Sequence, residues 1–274
     1  MHVVGICRFS LLGRGDWKAY QGASDAEVAV IADQQAATLF APDRIERRLA
    51  TLQHLTLASL QAQTDQDFTL IVLAPETMPA PYKQRLSQIC SAVPQVVLRF
   101  FPLIHVVDAQ KAVLAELGME LKTMVQFRLD DDDAVCTTFV ERKRQIASRL
   151  VAVCTPLALS FRSVLFCSAG GEQAGIYAWD SPFFSAGAAL YHPTRSIFSF
   201  GHFALMRRFA SIVIPDGMSL ATHNGQNDTL FDADRIRRQG FVRMDKAEIS
   251  KTCASQFPFL TAKGKGMAGL PNAG

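Results

Sequence analysis

No CxxC pair occurs among the six cysteines, Cys7, Cys90, Cys136, Cys154, Cys167 and Cys253, which lie far apart along the chain. That spacing sets aside a zinc ribbon and a disulfide framework. Thiols in apolar strands act as small hydrophobes, so the expectation is reduced cysteines and a cytoplasmic setting, with room for peripheral attachment to the inner face of a membrane. No apolar run reaches the roughly 18 residues of a membrane span. The longest, Leu150 to Leu159, is interrupted by Pro156. Met1–Phe9 has no basic leader and reads as a strand rather than a signal peptide. Charge is sparse, with 19% charged residues and a net charge of +3, too mild for a nucleic-acid partner. A P-loop, a GxSxG elbow and an HExxH helix are all missing, and Gly13-x-Gly15 is too short for a dinucleotide fingerprint. There is no internal repeat.

What is present is a core. Apolar residues make up 49% of 274 residues, enough for one large domain. Strands are expected at Val3–Phe9, Phe68–Ala74, Gln95–Phe101 and Thr123–Leu129. Helices are expected from Asp43, from Pro81 and from Asp108, the last closed by Gly118. This alternation predicts a single open, mostly parallel sheet flanked by helices. Residues 10–43 read as an irregular insertion. Beyond residue 150 short apolar strands and aromatic residues take over, predicting a more irregular mixed half. The chain thus divides into a regular half over 1–150, a mixed half of the same domain over 151–260, and a tail expected to be disordered over 261–274.

One stretch stands out against the sparse charge: Arg128-Leu129-Asp130-Asp131-Asp132-Asp133-Ala134, where an apolar strand runs into four consecutive carboxylates. Like charges at adjacent positions repel, and burying them without cations is costly. The run is therefore either solvated or built to hold positive charge. A helix N-terminus starting at Thr138 would satisfy one or two carboxylates, not four. In a strand, residues two apart share a face. Asp130 and Asp132 then form the favoured pair for Mg²⁺ or Mn²⁺, with Asp131 and Asp133 the alternative if the chain turns. The position after a parallel strand puts the run at the carboxyl edge, where open α/β sheets bind ligands.

Arg47-Arg48-Leu49, the stretch Thr56-Leu57-Ala58-Ser59-Leu60-Gln61-Ala62-Gln63-Thr64-Asp65-Gln66-Asp67-Phe68, the acidic run, and Thr222-His223-Asn224-Gly225-Gln226-Asn227-Asp228 together resemble the putative rhamnosyltransferase family of bacteria, over most of residues 1–245. The resemblance implies a glycosyltransferase A-type fold. It also implies transfer from a nucleoside-diphosphate sugar to a glycan or other hydroxyl acceptor, with a late histidine, His223, completing the metal shell or touching the diphosphate.

Other candidates follow from chemistry. Arg8, Arg14, Arg47 and Arg48 offer guanidinium forks for a diphosphate, whereas Arg128 is placed to pair with an aspartate. A base for the acceptor hydroxyl is sought among carboxylates, Asp180 first and Asp228 second. Each has a competing structural role, Asp180 as a turn before Pro182 and Asp228 as a helix cap. Asp130 and Asp131 are also placed against the donor. Tyr177 and Trp179, with Phe200 and His202, offer rings for stacking on sugars or, equally, for core packing. A nucleotidyltransferase and a non-catalytic carbohydrate-binding protein of the same fold remain alternatives.

Overall fold

A computed structural model describes residues 1–13, 20, 22–224 and 231–271. The chain lays down β1 (His2–Arg8), α1 (Asp25–Leu39), α2 (Pro42–Thr51), a π-helical turn at Leu52–Thr56, α3 (Leu57–Gln61) and β2 (Phe68–Pro75). Next come α4 (Ala80–Ser91), β3 (Val96–Phe101), α5 (Val106–Glu116) and β4 (Met124–Arg128). The second half contains β5 (Ala134–Val135), α6 (Phe139–Leu150), β6 (Leu157–Ser168), β7 (Gly175–Asp180), β8 (Ala189–Tyr191), α7 (His202–Arg208) and β9 (Ala210–His223). It ends with α8 (Ala233–Gln239), β10 (Val242–Arg243), α9 (Lys246–Gln256) and α10 (Ala262–Ala268).

Among the described residues all ten strands join one sheet. Its first part, in the order β3-β2-β1-β4, is parallel throughout. Beyond β4 the pairing turns antiparallel through β8, β6, β7 and β10, while β9 runs parallel to β6 and also carries β5. This is the expected α/β architecture with a mixed second half.

Strand alternation assigns β1 to two cores. Val3 and Cys7 face the layer holding Ile45 and Leu49 of α2, Leu86 of α4 and Phe139 and Ala147 of α6. Val4 and Ile6 face Val113 of α5, Ile197, Phe198 and Leu205 of α7. Gly5 lies between them because a Cβ there would overlap the Phe127 ring. Burial on both faces explains the almost unbroken apolar runs of these strands.

Several boundaries differ from expectation, each for a local reason. The stretch expected to be irregular contains α1, capped by a reciprocal Ser24–Glu27 box. α2 starts with Pro42 rather than at an Asp43 cap. His105, not Asp108, caps α5, its Nδ1 accepting from the Val107 amide. The long β9 was hidden by Pro215-Asp216-Gly217, where the register with β6 shifts and Gly217 takes φ +99°. α8 begins after an Asp232 cap; the Asn227–Asp228 start expected from sequence lies outside the described residues.

The expectation of a disordered tail is corrected over 261–271. Thr261 caps α10, Ala268 and Leu270 join the main core, and Gly264 lies against the His54 carbonyl. Leu260, Met267 and Leu270 give this glycine-rich piece enough apolar surface to anchor it.

Candidate active site

β1 and β4 are neighbours in the parallel sheet, so the segments following both emerge at one carboxyl edge. The segment after β1 is tightly held. Ser10 is buried with φ +51°, an uncommon conformation for a residue with a side chain. Gly13 sits where a Cβ would run into the Ile104 carbonyl.

β4 stops at Arg128, whose amide and carbonyl pair with Ala188 and Gly187. The acidic run then leaves strand geometry. The Asp133 amide donates to the Asp130 carbonyl at 3.3 Å, closing a turn. This overturns the alternation argument for an Asp130/Asp132 pair, because the strand ends two residues too early. Asp131 and Asp132 instead converge on one atom: Nη1 of Arg48 lies 2.9 Å from Asp131 Oδ1 and 2.7 Å from Asp132 Oδ2. Asp130 keeps a partly open face and meets Arg8 at 3.7 Å.

Threonines from two distant segments hold this turn. Thr56 Oγ1, in the π-helical turn, donates to the Asp133 carbonyl at 2.8 Å and the Asp130 carbonyl at 3.3 Å. Thr222 Oγ1 donates to the Asp132 carbonyl at 2.8 Å, and its amide donates to Asp133 Oδ1 at 3.3 Å. Neither threonine was assigned a role from sequence, and no periodic or charge pattern marks them.

Three of the four carboxylates are nearly inaccessible: Asp131 1%, Asp132 6% and Asp133 5% exposed. Burial pushes Asp131 up to about 7, with Arg48 opposing and Asp132 adding to the rise. Burial raises Asp132 as well, again against Arg48. Asp133 is raised well above the usual carboxylate range, by burial and then by the charges of Asp132 and Asp130. Arg48 is itself desolvated, but the surrounding aspartates more than offset this and hold it charged. The run therefore carries less than four full negative charges near neutrality, which is how it tolerates burial.

The remaining candidates divide. Arg47 is exposed while Arg48 enters the site. Arg8 and Arg128 flank the Phe198 ring, with guanidinium carbons 5.1 and 4.4 Å from its centroid. Arg128 Nη1 also reaches the Phe200 carbonyl, so it anchors the neighbouring segment. His223 ends β9 one residue after Thr222, its ring beside Phe166 and Phe231. His202 accepts or donates at the Phe183 carbonyl, 2.7 Å away. Arg14 and Asp228 lie outside the described residues.

Asp180 is not brought to the acidic run. It pairs with Ser163 of β6 and accepts from Ser163 Oγ at 2.9 Å. His223 lies opposite Ser168, five positions along β6 and roughly 17 Å away at strand rise. Tyr177 and Trp179 are buried in an aromatic cluster, Trp179 stacked on Phe241 at 4.3 Å. Neither ring offers an open face to a sugar; they pack the core of the second half.

Among the described residues no three His, Cys, Asp or Glu side chains converge as a metal cluster, so Asp130, Asp132 and His223 do not form one shell. The donor chemistry still suits a hard cation. Both Asp131 oxygens are buried and accept no directed hydrogen bond, their contact with Arg48 being ionic. Two carboxylates, completed by phosphate oxygens and water, are a usual Mg²⁺ site. The position between them is the one Arg48 Nη1 occupies.

An acidic turn clamped by arginines lies at the carboxyl edge of a parallel sheet, where open α/β folds bind their ligands. The profile of the family described as "Putative rhamnosyl transferase" matches residues 2–235. The chain belongs to this family. Among solved structures, the crystal structure of S. aureus TarS is similar at TM-score 0.44 and 10% identity, covering 81% of this chain and 37% of that one. S. aureus TarS 1-349 in complex with UDP-GlcNAc gives TM-score 0.40 and 10% identity over 93% of this chain and 67% of that one. A 4-diphosphocytidyl-2C-methyl-D-erythritol synthase gives 0.35 and 11%, over 86% and 96%. The chain thus spans little more than a third of the full TarS chain. No curated protein matches it.

Proposed function

We propose that the chain transfers a sugar, a rhamnosyl group in the family's own description, from a nucleoside-diphosphate sugar to a hydroxyl of a glycan acceptor. The observation that carries this is the pinned acidic turn. Its backbone is fixed by Thr56 and Thr222, while Asp130 and the Arg8 guanidinium beside it remain partly open at the sheet edge. In the reaction the bond from the sugar's anomeric carbon to the diphosphate oxygen breaks, and its electron pair leaves with the diphosphate. The acceptor oxygen forms the new bond and gives up its proton to a base.

Arg8 and Arg48 supply guanidinium groups for the departing diphosphate, whose charge they stabilise as it develops. Asp131 and Asp132 would hold Mg²⁺ or Mn²⁺ with the Arg48 guanidinium displaced from between them toward the diphosphate. Such an ion, when bound, neutralises the leaving diphosphate. Asp130, on the open side of the turn, is placed to orient the donor. Asp180, at the end of β7 and opposite Ser163 of β6, is too far from the acidic turn to be assigned as the base from this arrangement. The six free cysteines fit a reducing, cytoplasmic setting, and no helix among the described residues is long and apolar enough to cross a membrane.

Melting temperature measured against a panel of nucleoside-diphosphate sugars, with and without MnCl₂, tests the reading. A bound donor stabilises the native state by mass action. At least one nucleotide sugar should raise the melting temperature, and Asp132→Ala should abolish the shift and lower transfer by about a hundredfold or more. The reading fails if none shifts it, or if the protein releases pyrophosphate from a nucleoside triphosphate and a sugar phosphate.

A further inference from the structure

Between Asp180 and Asp216 the chain contains no aspartate and no glutamate. The same stretch carries Arg195, Arg207 and Arg208, two histidines and six phenylalanines. Its central element, α7, packs through Leu205 against the core and turns Phe203 and Met206 outward, each 47% exposed. Three positions apart on a helix, these two side chains share a face, and Arg207 lies one turn from Phe203. Arg195 and Arg208 both approach the Phe200 ring, each with its guanidinium carbon 5.8 Å from the centroid, so loop and helix form one surface.

Some arginines elsewhere, Arg85, Arg99, Arg142 and Arg237, have a carboxylate partner, while others such as Arg47 and Arg149 stand alone in solvent; what sets this stretch apart is three arginines beside two exposed apolar side chains. Among the described residues Arg195, Arg207 and Arg208 have no carboxylate partner. Two exposed apolar side chains on a stretch that carries three arginines and no acid are matched by a surface that is apolar beneath and anionic above.

We propose that α7 and the preceding loop dock the protein on an anionic lipid surface, with Phe203 and Met206 entering the headgroup boundary and the three arginines meeting lipid phosphates. The patch adjoins the candidate site, since Arg128 holds the Phe200 carbonyl and shares the Phe198 ring with Arg8. Docking here would hold that edge of the sheet near the membrane. The inference stands on charge and exposure and does not depend on the proposed reaction.

Co-sedimentation with vesicles tests it. The full chain should bind vesicles of phosphatidylglycerol and phosphatidylcholine in equal amounts, should ignore phosphatidylcholine alone, and should lose binding as salt is raised. Neutralising all three arginines (Arg195→Gln, Arg207→Gln, Arg208→Gln) should weaken binding by about a hundredfold, and Phe203→Ser with Met206→Ser should weaken it further. Arg149→Gln, an exposed position on α6 across the sheet, should leave it unchanged. The proposal is overturned if neutral vesicles bind as well as anionic ones, or if the arginine variant binds like the wild type. It is also overturned if light scattering shows a dimer that the serine variant dissolves while no vesicle binds, which would make this face a contact between copies.

Discussion

The acidic turn and the acid-free stretch around α7 treat charge in opposite ways. In the first, four carboxylates crowd into a buried turn and the protein supplies its own counter-ion, Arg48. In the second, three arginines stand in solvent with no carboxylate beside them. Yet they border one another, joined through Arg128 and Phe198. The contrast teaches where each charge finds its balance. A buried charge must be compensated within the fold, because desolvation is costly. An exposed one can wait for a partner from outside at little expense in stability. Variants that remove one charge or one apolar group at a time can break that contrast or sharpen it.

The largest effect is expected at Arg48. Replacing it with Met leaves Asp131 and Asp132 buried without their shared cation. Removing one partner of a buried pair costs about 3–5 kcal/mol, measurable by urea denaturation. The loss should depend on pH with a definite sign. Arg48 stabilises the ionised carboxylates, so its contribution is full where they are charged and fades as they protonate. Since burial holds Asp131 at about 7 and raises Asp132 and Asp133 too, the gap between wild type and Arg48→Met should narrow as pH falls through neutrality. An equal loss well above and well below neutrality would show that Arg48 acts by packing, not by charge.

Lys143 offers the control case, a buried charge with no compensation at all. It is fully inaccessible, its Nζ has no hydrogen-bond partner among the described residues, and it lies over the Phe139 and Phe161 rings, at 5.2 and 4.6 Å. Burial pushes its pKa down to about 7, with Cys136 slightly opposing. Between about 7 and the ordinary value of 10.5 the unfolded chain holds a proton that the folded one lacks. Stability should therefore rise with pH across that window. Lys143→Met should flatten the rise and stabilise the protein near neutrality by on the order of 1–4 kcal/mol. Thermal melts across the window would show it.

How far such features could be read from the chain depends on their range. The alternation of β1 to β4 with helices was legible because both-face burial writes itself as apolar runs. The acidic run was legible because four adjacent like charges have few structural uses. The pairing within it was not, since it turns on where β4 stops, and that is set by Ala188 and Gly187 sixty residues on. Thr56 and Thr222 each open a stretch that carries the resemblance, yet their roles were not legible for the same reason: a hydroxyl that donates to a carbonyl far along the chain leaves no local signature. Tyr177 and Trp179 could be surface platform or core from sequence alone, and only Phe241, more than sixty positions later, decides it by covering Trp179. The α1 helix is a different failure, for its Ser24–Glu27 capping box is entirely local; its weakly patterned faces concealed it.

The smallest effect is expected at Phe203 and Met206, and its smallness is the point. If α7 keeps its face for an external surface, converting both residues to Ser removes little that the isolated fold uses, chiefly the Phe203 ring's contact with His202 at 4.1 Å. Exposed positions away from caps and ion pairs usually change stability by within about 0.5 kcal/mol, and α7 retains Leu205 as its buried anchor. Urea midpoints of wild type and the double variant should coincide, while vesicle binding falls. A loss well beyond that range would mean the two side chains are covered in the free protein. The difference between the two regions would then be one of burial on both sides, with the arginines as the only part left waiting for a partner.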